Sequence, residues 1–112
     1  MKSLTITASH TPAGPALEVV GDLDYTNARR LRHAAQETDL SPGRFLVVDL
    51  SELRFCDSSG ITALIAVRNH AVAAGTEVVL VAVPANTRRL LHMTGLDQVF
   101  DIRDDVTSLP GR

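Results

Sequence analysis

Apolar and polar residues alternate at the start of the chain. Leu4, Ile6 and Ala8 are separated by polar residues, and a second run of this kind covers residues 16–20. Alternation of this period is typical of a β-strand with one buried face. The Pro-Ala-Gly-Pro stretch at 12–15 lies between the two runs, and such residues favour a turn. The pattern therefore predicts an opening β-hairpin.

The period changes to that of a helix after residue 24. The Gly-Asp-Leu-Asp segment at 21–24 ends the second strand, and Thr26 or Asn27 can then cap a helix over about residues 26–38. The inner face of this helix is predicted from its apolar spacing, with Ala28, Leu31, Ala34 and Ala35 on it.

Longer apolar runs mark the second half of the chain. Residues 45–50 are almost wholly apolar, which is typical of a central strand covered on both faces. Further elements follow in alternation: a helix over about 59–74 ended by Gly75, a strand over 77–83, a helix over about 86–94 ended by Gly95, and a short strand over 99–102. The last ten residues predict no element.

Strands that alternate with helices indicate βαβ crossovers and a parallel sheet, to which the hairpin adds an antiparallel or mixed edge. A chain of 112 residues has room for one hydrophobic core. We therefore expect a single α/β domain over residues 1–112, with a mixed, mainly parallel sheet of about four to five strands and helices packed on it.

Composition excludes several classes of protein. The chain is 45% hydrophobic and 21% charged, as globular domains are. Its formal net charge of -2 gives no overall attraction to nucleic acid or to an anionic membrane, and no apolar run is long enough to cross one. The first residues lack the apolar core of a signal peptide. We expect a soluble cytoplasmic protein that binds neither nucleic acid nor membrane.

Metal and cofactor chemistry has no support in the sequence. The single cysteine, Cys56, cannot form an internal disulfide and is interpreted as a small buried hydrophobic residue. No cysteine and histidine cluster has zinc spacing, and no phosphate-binding glycine loop is present. We expect no metal and no cofactor.

The segment Asp57, Ser58, Ser59, Gly60 lies at a predicted junction between a strand and a helix. A helix N-terminus carries unpaired N–H groups, which Ser58 or Ser59 could cap, and Gly60 would let a backbone or a phosphate approach closely. In α/β sheets this edge often carries function. The alternative is a purely structural turn and cap, because the string is common.

Two other features each have a purely structural and a functional interpretation. The helix after Gly60 is apolar from Ile61 to Val67 except for Thr62, so it forms either a docking face or a surface covered by a neighbouring element. The basic residues of the first helix either face solvent or contact an acidic partner: Arg29, Arg30, Arg32 and His33.

A hydrolase would also place a serine between strand and helix. The first glycine of such a nucleophile elbow is replaced here by Cys56, and nothing in the sequence brings His92 or Asp101 to Ser58. We therefore expect no enzymatic activity.

Four segments in order resemble successive signatures of the STAS family, and most of all its bacterial anti-sigma factor antagonists. They are Gly-Asp-Leu-Asp at 21–24, Val-Val-Asp-Leu-Ser at 47–51, Phe-Cys-Asp-Ser-Ser-Gly-Ile at 55–61, and the stretch from Pro84 to Leu96. The match runs through about residues 2–103.

The resemblance implies a partner-switching regulator of transcription. Such a protein binds an anti-sigma factor that is also a serine kinase and thereby releases a sigma factor. The kinase phosphorylates the first serine after the aspartate, here Ser58, and a serine phosphatase of the PP2C type resets it. The implied partner-binding residues are Asp24, Asp57, Ser58, Ser59, Gly60, Ile61 and Leu64. The chain is expected to be a monomer or a weak dimer.

The alternative is a STAS domain that is not phosphorylated and serves as a structural subunit of a signalling scaffold or a lipid-transport complex. The serines at 58 and 59 favour the antagonist. Residues 104–109 are shorter than the closing helix expected in the family, so a helix of a partner or a second copy would cover the surface left exposed.

Overall fold

The computed structural model describes residues 3–110, and these form six strands and three helices. The strands are β1 (Leu4–Thr11), β2 (Gly14–Leu23), β3 (Phe45–Asp49), β4 (Leu53–Cys56), β5 (Glu77–Val81) and β6 (Asp101–Arg103). The helices are α1 (Ala28–Gln36), α2 (Ser58–Ala73) and α3 (Ala85–Met93), and a 3₁₀ turn at Leu96–Gln98 precedes β6. Each predicted helix and strand is present, with ends moved by a few residues.

The strands form one mixed sheet in the order β1-β2-β3-β5-β6, in which only β1 is antiparallel to its neighbour among the described strands. The predicted fold class is confirmed. The strand number is six rather than four to five, because β4 also pairs with β2, beyond the end of β3. This strand is four residues long and carries the exposed Arg54 and Phe55, so no apolar run marked it in the sequence.

Gly21 allows β2 to pair with both β3 and β4. The register of β2 against β4 shifts between Gly21 and Asp22, which is a bulge. Gly21 has a φ of 105°, and a Cβ there would lie 2.2 Å from the carbonyl oxygen of Ser3. Only glycine accepts this conformation and this close approach together. The shift brings Leu23 level with Cys56, directly before the candidate segment.

The three helices cover one face of the sheet. Leu31 of α1, Leu64 of α2 and Leu91 of α3 are fully buried there against strand residues such as Leu17 and Leu46. Three of the four predicted inner residues of α1 are buried as well: Ala28, Leu31 and Ala35. The fourth, Ala34, is half-buried and packs against the same core.

The chain's own C-terminal segment covers the middle of the other face of the sheet. Val47, Val79 and Val81 are buried there with Leu109, and Val106 packs against them. The guanidinium of Arg103 donates to the carbonyl oxygen of Ser108 at 3.1 Å, which holds the segment in place. The prediction that β3 is covered on both faces is confirmed. The cover on this side comes from the chain's own C-terminal segment, and cover of any further surface by a partner helix or a second copy stays a prediction.

Residues 26 and 27 do not cap α1 in the predicted way. Asn27 precedes the helix, but its amide oxygen accepts from the Asp24 N–H at 2.9 Å and its amide nitrogen donates to the Asp22 carbonyl at 2.9 Å. The Ala28 N–H instead donates to the carbonyl oxygen of Asp24 at 2.8 Å. The side chain is thus used to shape the loop.

Within residues 3–110, the helices are too short or too polar for any of them to cross a lipid bilayer.

Candidate functional site

The candidate segment lies where β2 and β4 both end. Leu23 and Cys56 are paired at the ends of these parallel strands, and the N–H of Asp57 donates to the Leu23 carbonyl at 3.2 Å. The loop 24–27 leaves the sheet beside the start of α2. Two segments that are distant in sequence therefore form one surface at the carboxyl edge of the sheet, which is where ligands and partners of α/β folds commonly bind.

Asp57 holds this surface together. Its Oδ1 accepts from the Gly60 N–H at 3.0 Å, which is an N-cap of α2. Its Oδ2 accepts from the main-chain N–H of Tyr25 at 3.3 Å. The negative carboxylate also complements the positive end of the helix dipole. Asp57, rather than Ser58 or Ser59 as predicted, is the capping residue.

The two serines lie in the first turn of α2 and differ in exposure. Ser58 is the first residue of the helix and is exposed, whereas Ser59 is half-buried. The carbonyl oxygen of Ser58 accepts from the Thr62 hydroxyl at 3.0 Å, so its backbone is fixed while its side chain faces solvent. Of the two, Ser58 is the more accessible to another protein.

Asp24 organises the neighbouring loop from inside. It is 1% exposed, and its Oδ1 accepts from the Thr26 N–H at 2.9 Å and also from the Thr26 hydroxyl. A side chain so deeply buried cannot touch a partner. The family resemblance implied that Asp24 lies near the surface of Ser58. It did not show that the Asp24 side chain is buried, because a single aspartate in a loop has no apolar neighbours in sequence that would predict burial.

Tyr25 is a surface residue that the sequence analysis missed. It is the only tyrosine of the chain, its ring is 80% exposed, and its backbone is tied to Asp57. An exposed aromatic ring on a fixed backbone is the type of residue that anchors protein interfaces. The signal that could have revealed it is a lone aromatic residue in a polar loop directly after Asp24.

Gly60 is required for packing. A Cβ at this position would lie 2.6 Å from the Cys56 Sγ and 3.0 Å from the Leu23 Cδ2. Gly60 is itself buried, so the predicted close approach is made by the protein's own side chains and not by a phosphate. Glycine here lets the start of α2 lie directly on the ends of β2 and β4.

Cys56 is a protonated thiol at neutral pH. Burial, together with the neighbouring negative charge of Asp57, raises the pKa of this thiol from 9.0 to about 12. The sulfur lies 3.6 Å from the Asp57 carbonyl oxygen, to which it donates weakly. Cys56 is half-buried and packs against the core, as expected for a small hydrophobic residue.

The apolar start of α2 is covered by the rest of the fold. Ile61 is 6% exposed and Leu64 is fully buried, because α2 packs against both α1 and the sheet. These two predicted partner-binding residues belong to the core, and no partner can reach them without opening the domain. Cover by neighbouring elements accounts for the buried residues of this stretch, whereas Ile65 and Ala66 are half-buried and a docking role for them stays a prediction.

The residues considered for a hydrolase are engaged elsewhere. The Nδ1 of His92 lies 2.8 Å from an Asp97 oxygen, and Asp101 forms an ion pair with Arg103 at 2.9 Å. Within residues 3–110 no group of three or more histidine, cysteine, aspartate or glutamate side chains could hold a metal ion.

Comparisons with known proteins show which family the sequence resembles. The sequence profile of the family described as "Mlab, STAS domain" matches residues 6–104. The anti-sigma-F factor antagonist RsfB of Mycobacterium tuberculosis is 29% identical over an alignment of 113 positions, which covers 97% of this chain and 92% of that protein. The anti-sigma-B factor antagonist of Listeria monocytogenes is 26% identical over 86 residues, which covers 77% of this chain and 75% of that protein.

A solved structure extends the likeness to three dimensions. The crystal structure of an anti-sigma factor antagonist from Mycobacterium paratuberculosis superposes with a TM-score of 0.73 at 27% identity, covering 93% of this chain and 88% of that one. These relatives are named as regulators that oppose another protein, not as enzymes. The family match spans nearly the whole described chain and includes both segments of the site. The chain belongs to the STAS domain family.

Proposed function

We propose that this protein is an anti-sigma factor antagonist of the bacterial cytoplasm, which binds an anti-sigma factor with serine kinase activity and so releases a sigma factor for transcription. In this proposal the kinase phosphorylates Ser58, the phosphorylated form no longer binds, and a serine phosphatase restores it. The observation that carries the proposal is the exposed Ser58 at the start of α2, fixed by the Asp57 cap beside the exposed Tyr25.

The position of Ser58 suits reversible phosphorylation. A phosphate adds about -1.5 to -2 charges at neutral pH and three strong acceptors. The first turn of a helix has unpaired N–H groups and a positive dipole end, both of which stabilise an anion. The folded domain can therefore carry the modification, and we expect the fold to be retained.

The effect of the phosphate on binding is local. The Asp57 carboxylate precedes Ser58 and is held by two backbone N–H groups, so it cannot move away from an added negative charge. Phosphorylation would add negative charge directly beside the Asp57 carboxylate. A partner fitted to the unmodified surface then meets added bulk and a charge that its groups are not placed to pair with, and its affinity falls.

Two of the family's implied contact residues remain at the proposed surface with Ser58, and one is added. Asp57 and Ser59 are half-buried at the start of α2, and Tyr25 extends the surface over the neighbouring loop. Gly60, Asp24, Ile61 and Leu64 support this surface from beneath, since all four are buried. The proposed contact set is therefore smaller than the family resemblance implied.

The decisive experiment is incubation with each candidate serine-kinase anti-sigma factor and ATP, followed by mass spectrometry of the intact protein and its peptides. We expect one phosphate on Ser58, none on the Ser58→Ala variant, and unchanged phosphorylation of the matched Ser59→Ala variant. Absence of phosphate with every such kinase of the source organism would reject the switch and favour the non-phosphorylated structural subunit.

Binding measurements complete the test. Ser58→Ala should bind the anti-sigma factor without being modified, and Ser58→Asp should bind it more weakly. Equal affinities of the two variants would mean that Ser58 is only a structural residue of the first turn. Circular dichroism of both variants should match the wild type, because Ser58 is exposed.

A further inference from the structure

A basic groove runs along the outer side of α1, beside β1. Its volume is about 550 Å³, and its lining includes Ile6 of the strand and the α1 residues Arg29, Arg30, Arg32, His33 and Glu37. Ser58 and the other residues of the proposed antagonist surface are not among the residues that line it. The groove is a second surface whose role the proposed function does not explain.

The charge of the groove is locally positive in a chain that is slightly acidic overall. His33 lies 3.3 Å from Glu37, so the one acidic residue of the lining already has a neighbour. Among residues 3–110, no carboxylate lies within ion-pair distance of Arg29, Arg30 or Arg32. Three exposed guanidinium groups along one groove favour a ligand that carries several negative charges.

The adjoining edge of the sheet is open. β1 is at the end of the strand order, and no other strand within residues 3–110 pairs with its outer side. The N–H of Asp22 in β2 donates to the Ser3 carbonyl at 2.9 Å, so the backbone groups of Ser3 point toward β2. Inward and outward residues alternate in an antiparallel ladder. The backbone groups of Leu4, Ile6, Ala8 and His10 therefore point outward.

We propose that this groove binds an extended acidic peptide segment of another protein, which adds to the edge of β1 as a further strand. Main-chain hydrogen bonds to the outward groups of β1 would align the segment, a known mode of peptide recognition. Alternate side chains of an added strand face the same side of the sheet, so carboxylates at every second position would reach Arg29, Arg30 and Arg32.

The edge geometry favours a peptide over a nucleic acid. A peptide backbone supplies the alternating donors and acceptors that an open strand needs, whereas a nucleic acid does not. The groove lining also contains no tyrosine, phenylalanine or tryptophan on which bases could stack. The proposal does not rest on the antagonist function, because neither Ser58 nor Tyr25 takes part in it.

The probe for a first test is a fluorescent eight-residue peptide with glutamate at alternate positions and valine or threonine between them. We expect it to bind, to bind less tightly as salt rises, and to shift the amide NMR signals of Ile6 and Ala8. A peptide with lysine in place of glutamate is the control and should not bind. Failure of the acidic peptide to bind at millimolar concentration would overturn the proposal.

Charge-reversal variants locate the site. The double variant Arg29→Glu, Arg32→Glu should bind the acidic peptide about tenfold more weakly, because two attractive surface charge pairs are replaced by two repulsive ones. The matched double variant Arg88→Glu, Arg89→Glu changes two exposed arginines of α3 and should bind as the wild type does. An equal loss of affinity in the two double variants would mean that the acidic peptide is attracted to arginines in general and not to this groove, and would contradict the proposal.

Modified peptides test the strand addition separately. N-methylation of alternate amides removes donors from one edge of the peptide only, so one of the two methylation patterns should abolish binding and the other should leave it unchanged. Equal binding of both methylated forms, or tighter binding of an oligothymidylate than of the acidic peptide, would reject strand addition. Ser58→Ala should bind the peptide normally, so this test stands whether or not the antagonist function is correct.

Discussion

The main-chain N–H of Tyr25 donates a hydrogen bond to the Oδ2 of Asp57 across 3.3 Å. The other oxygen of the same carboxylate caps α2 through the Gly60 N–H. One side chain thus fixes both the start of α2, where Ser58 is exposed, and the loop that presents Tyr25. Whatever changes Asp57 changes the position of both residues of the proposed surface.

Replacing Asp57 should therefore affect stability and loop order together. We expect Asp57→Ala to lower the free energy of unfolding by about 1–2 kcal/mol, because the Gly60 and Tyr25 N–H groups lose their acceptor. Urea denaturation measures this change. Asp57→Asn is the matched control, since its amide oxygen can still accept one of the two bonds, and it should lose less. Equal losses in the two variants would contradict the capping role.

A methyl group at position 60 should be poorly tolerated. Gly60→Ala places a Cβ 2.6 Å from the Cys56 Sγ, and overpacking of this kind costs about 1–3 kcal/mol. The double variant Gly60→Ala, Cys56→Ala removes that sulfur and should recover part of the loss, although Leu23 remains close. A double-mutant cycle by urea denaturation tests this, and strictly additive effects would mean that the two positions are not in contact.

Cys56 should be unreactive at neutral pH, and its ionisation should lower the stability of the fold at alkaline pH. Its folded pKa of about 12 is above the ordinary 9.0, so its contribution to stability is complete below pH 9 and is lost as pH rises toward 12. Between these two pH values the Cys56 thiol ionises in the unfolded chain but not in the folded one, which lowers the free energy of the unfolded state. We expect the stability difference between wild type and Cys56→Ala to shrink over that range, as measured by urea denaturation at each pH.

Alkylation gives an independent measure of the same thiol. Iodoacetamide reacts with the thiolate, so Cys56 in the folded protein should react far more slowly at pH 8 than it does in the unfolded chain. Mass spectrometry follows the reaction over time. Equal rates in the folded and unfolded protein would contradict the raised pKa of Cys56.

Tyr25 should contribute to partner binding without contributing to stability. Its ring is 80% exposed, so Tyr25→Ala should change the free energy of unfolding by less than about 0.5 kcal/mol. Truncation of a tyrosine that is a hot spot of an interface costs about 2 kcal/mol or more of binding energy, and we expect a loss of that size with the anti-sigma factor.

The control for Tyr25 is Met93→Ala. Met93 is 74% exposed at the end of α3, so its removal also leaves the core intact. Isothermal titration calorimetry of both variants with the same partner makes the comparison. If Met93→Ala weakens binding more than Tyr25→Ala does, the proposed surface is on the wrong side of the domain.

The C-terminal segment should be a structural part of the domain. Leu109 is buried against Val47 and Val79, and Leu109→Ala should lower the free energy of unfolding by about 2 kcal/mol. Val106 is only half-buried in the same cluster, so Val106→Ala is the graded comparison and should cost less. Thermal or urea denaturation measures both. A Leu109→Ala protein as stable as the wild type would show that the segment does not hold to the sheet.

The sequence by itself determined the alternation of strands and helices and the fold class that follows from it. Period-two and helical patterns are local properties, so they predicted the hairpin, all three helices and the doubly covered β3 to within a few residues. The pattern also placed Ser58 at a junction between a strand and a helix, where the structure has it, although the strand directly before it is β4, which the pattern did not predict. These features depend on residues that are close in sequence.

Tertiary structure alone decided which of the predicted site residues reach the surface. Asp24, Gly60, Ile61 and Leu64 are turned inward by packing of α1 and of the strand ends, while Tyr25 is held outward by Asp57, thirty-two positions away in the chain. The short β4 exists because of its pairing with β2, and the C-terminal segment covers β3 without any helical pattern. Apolar spacing indicates which residues of a regular helix or strand face the core. The burial of loop and junction residues and the pairing of a short strand arise between residues that are far apart in sequence, so local spacing does not predict them.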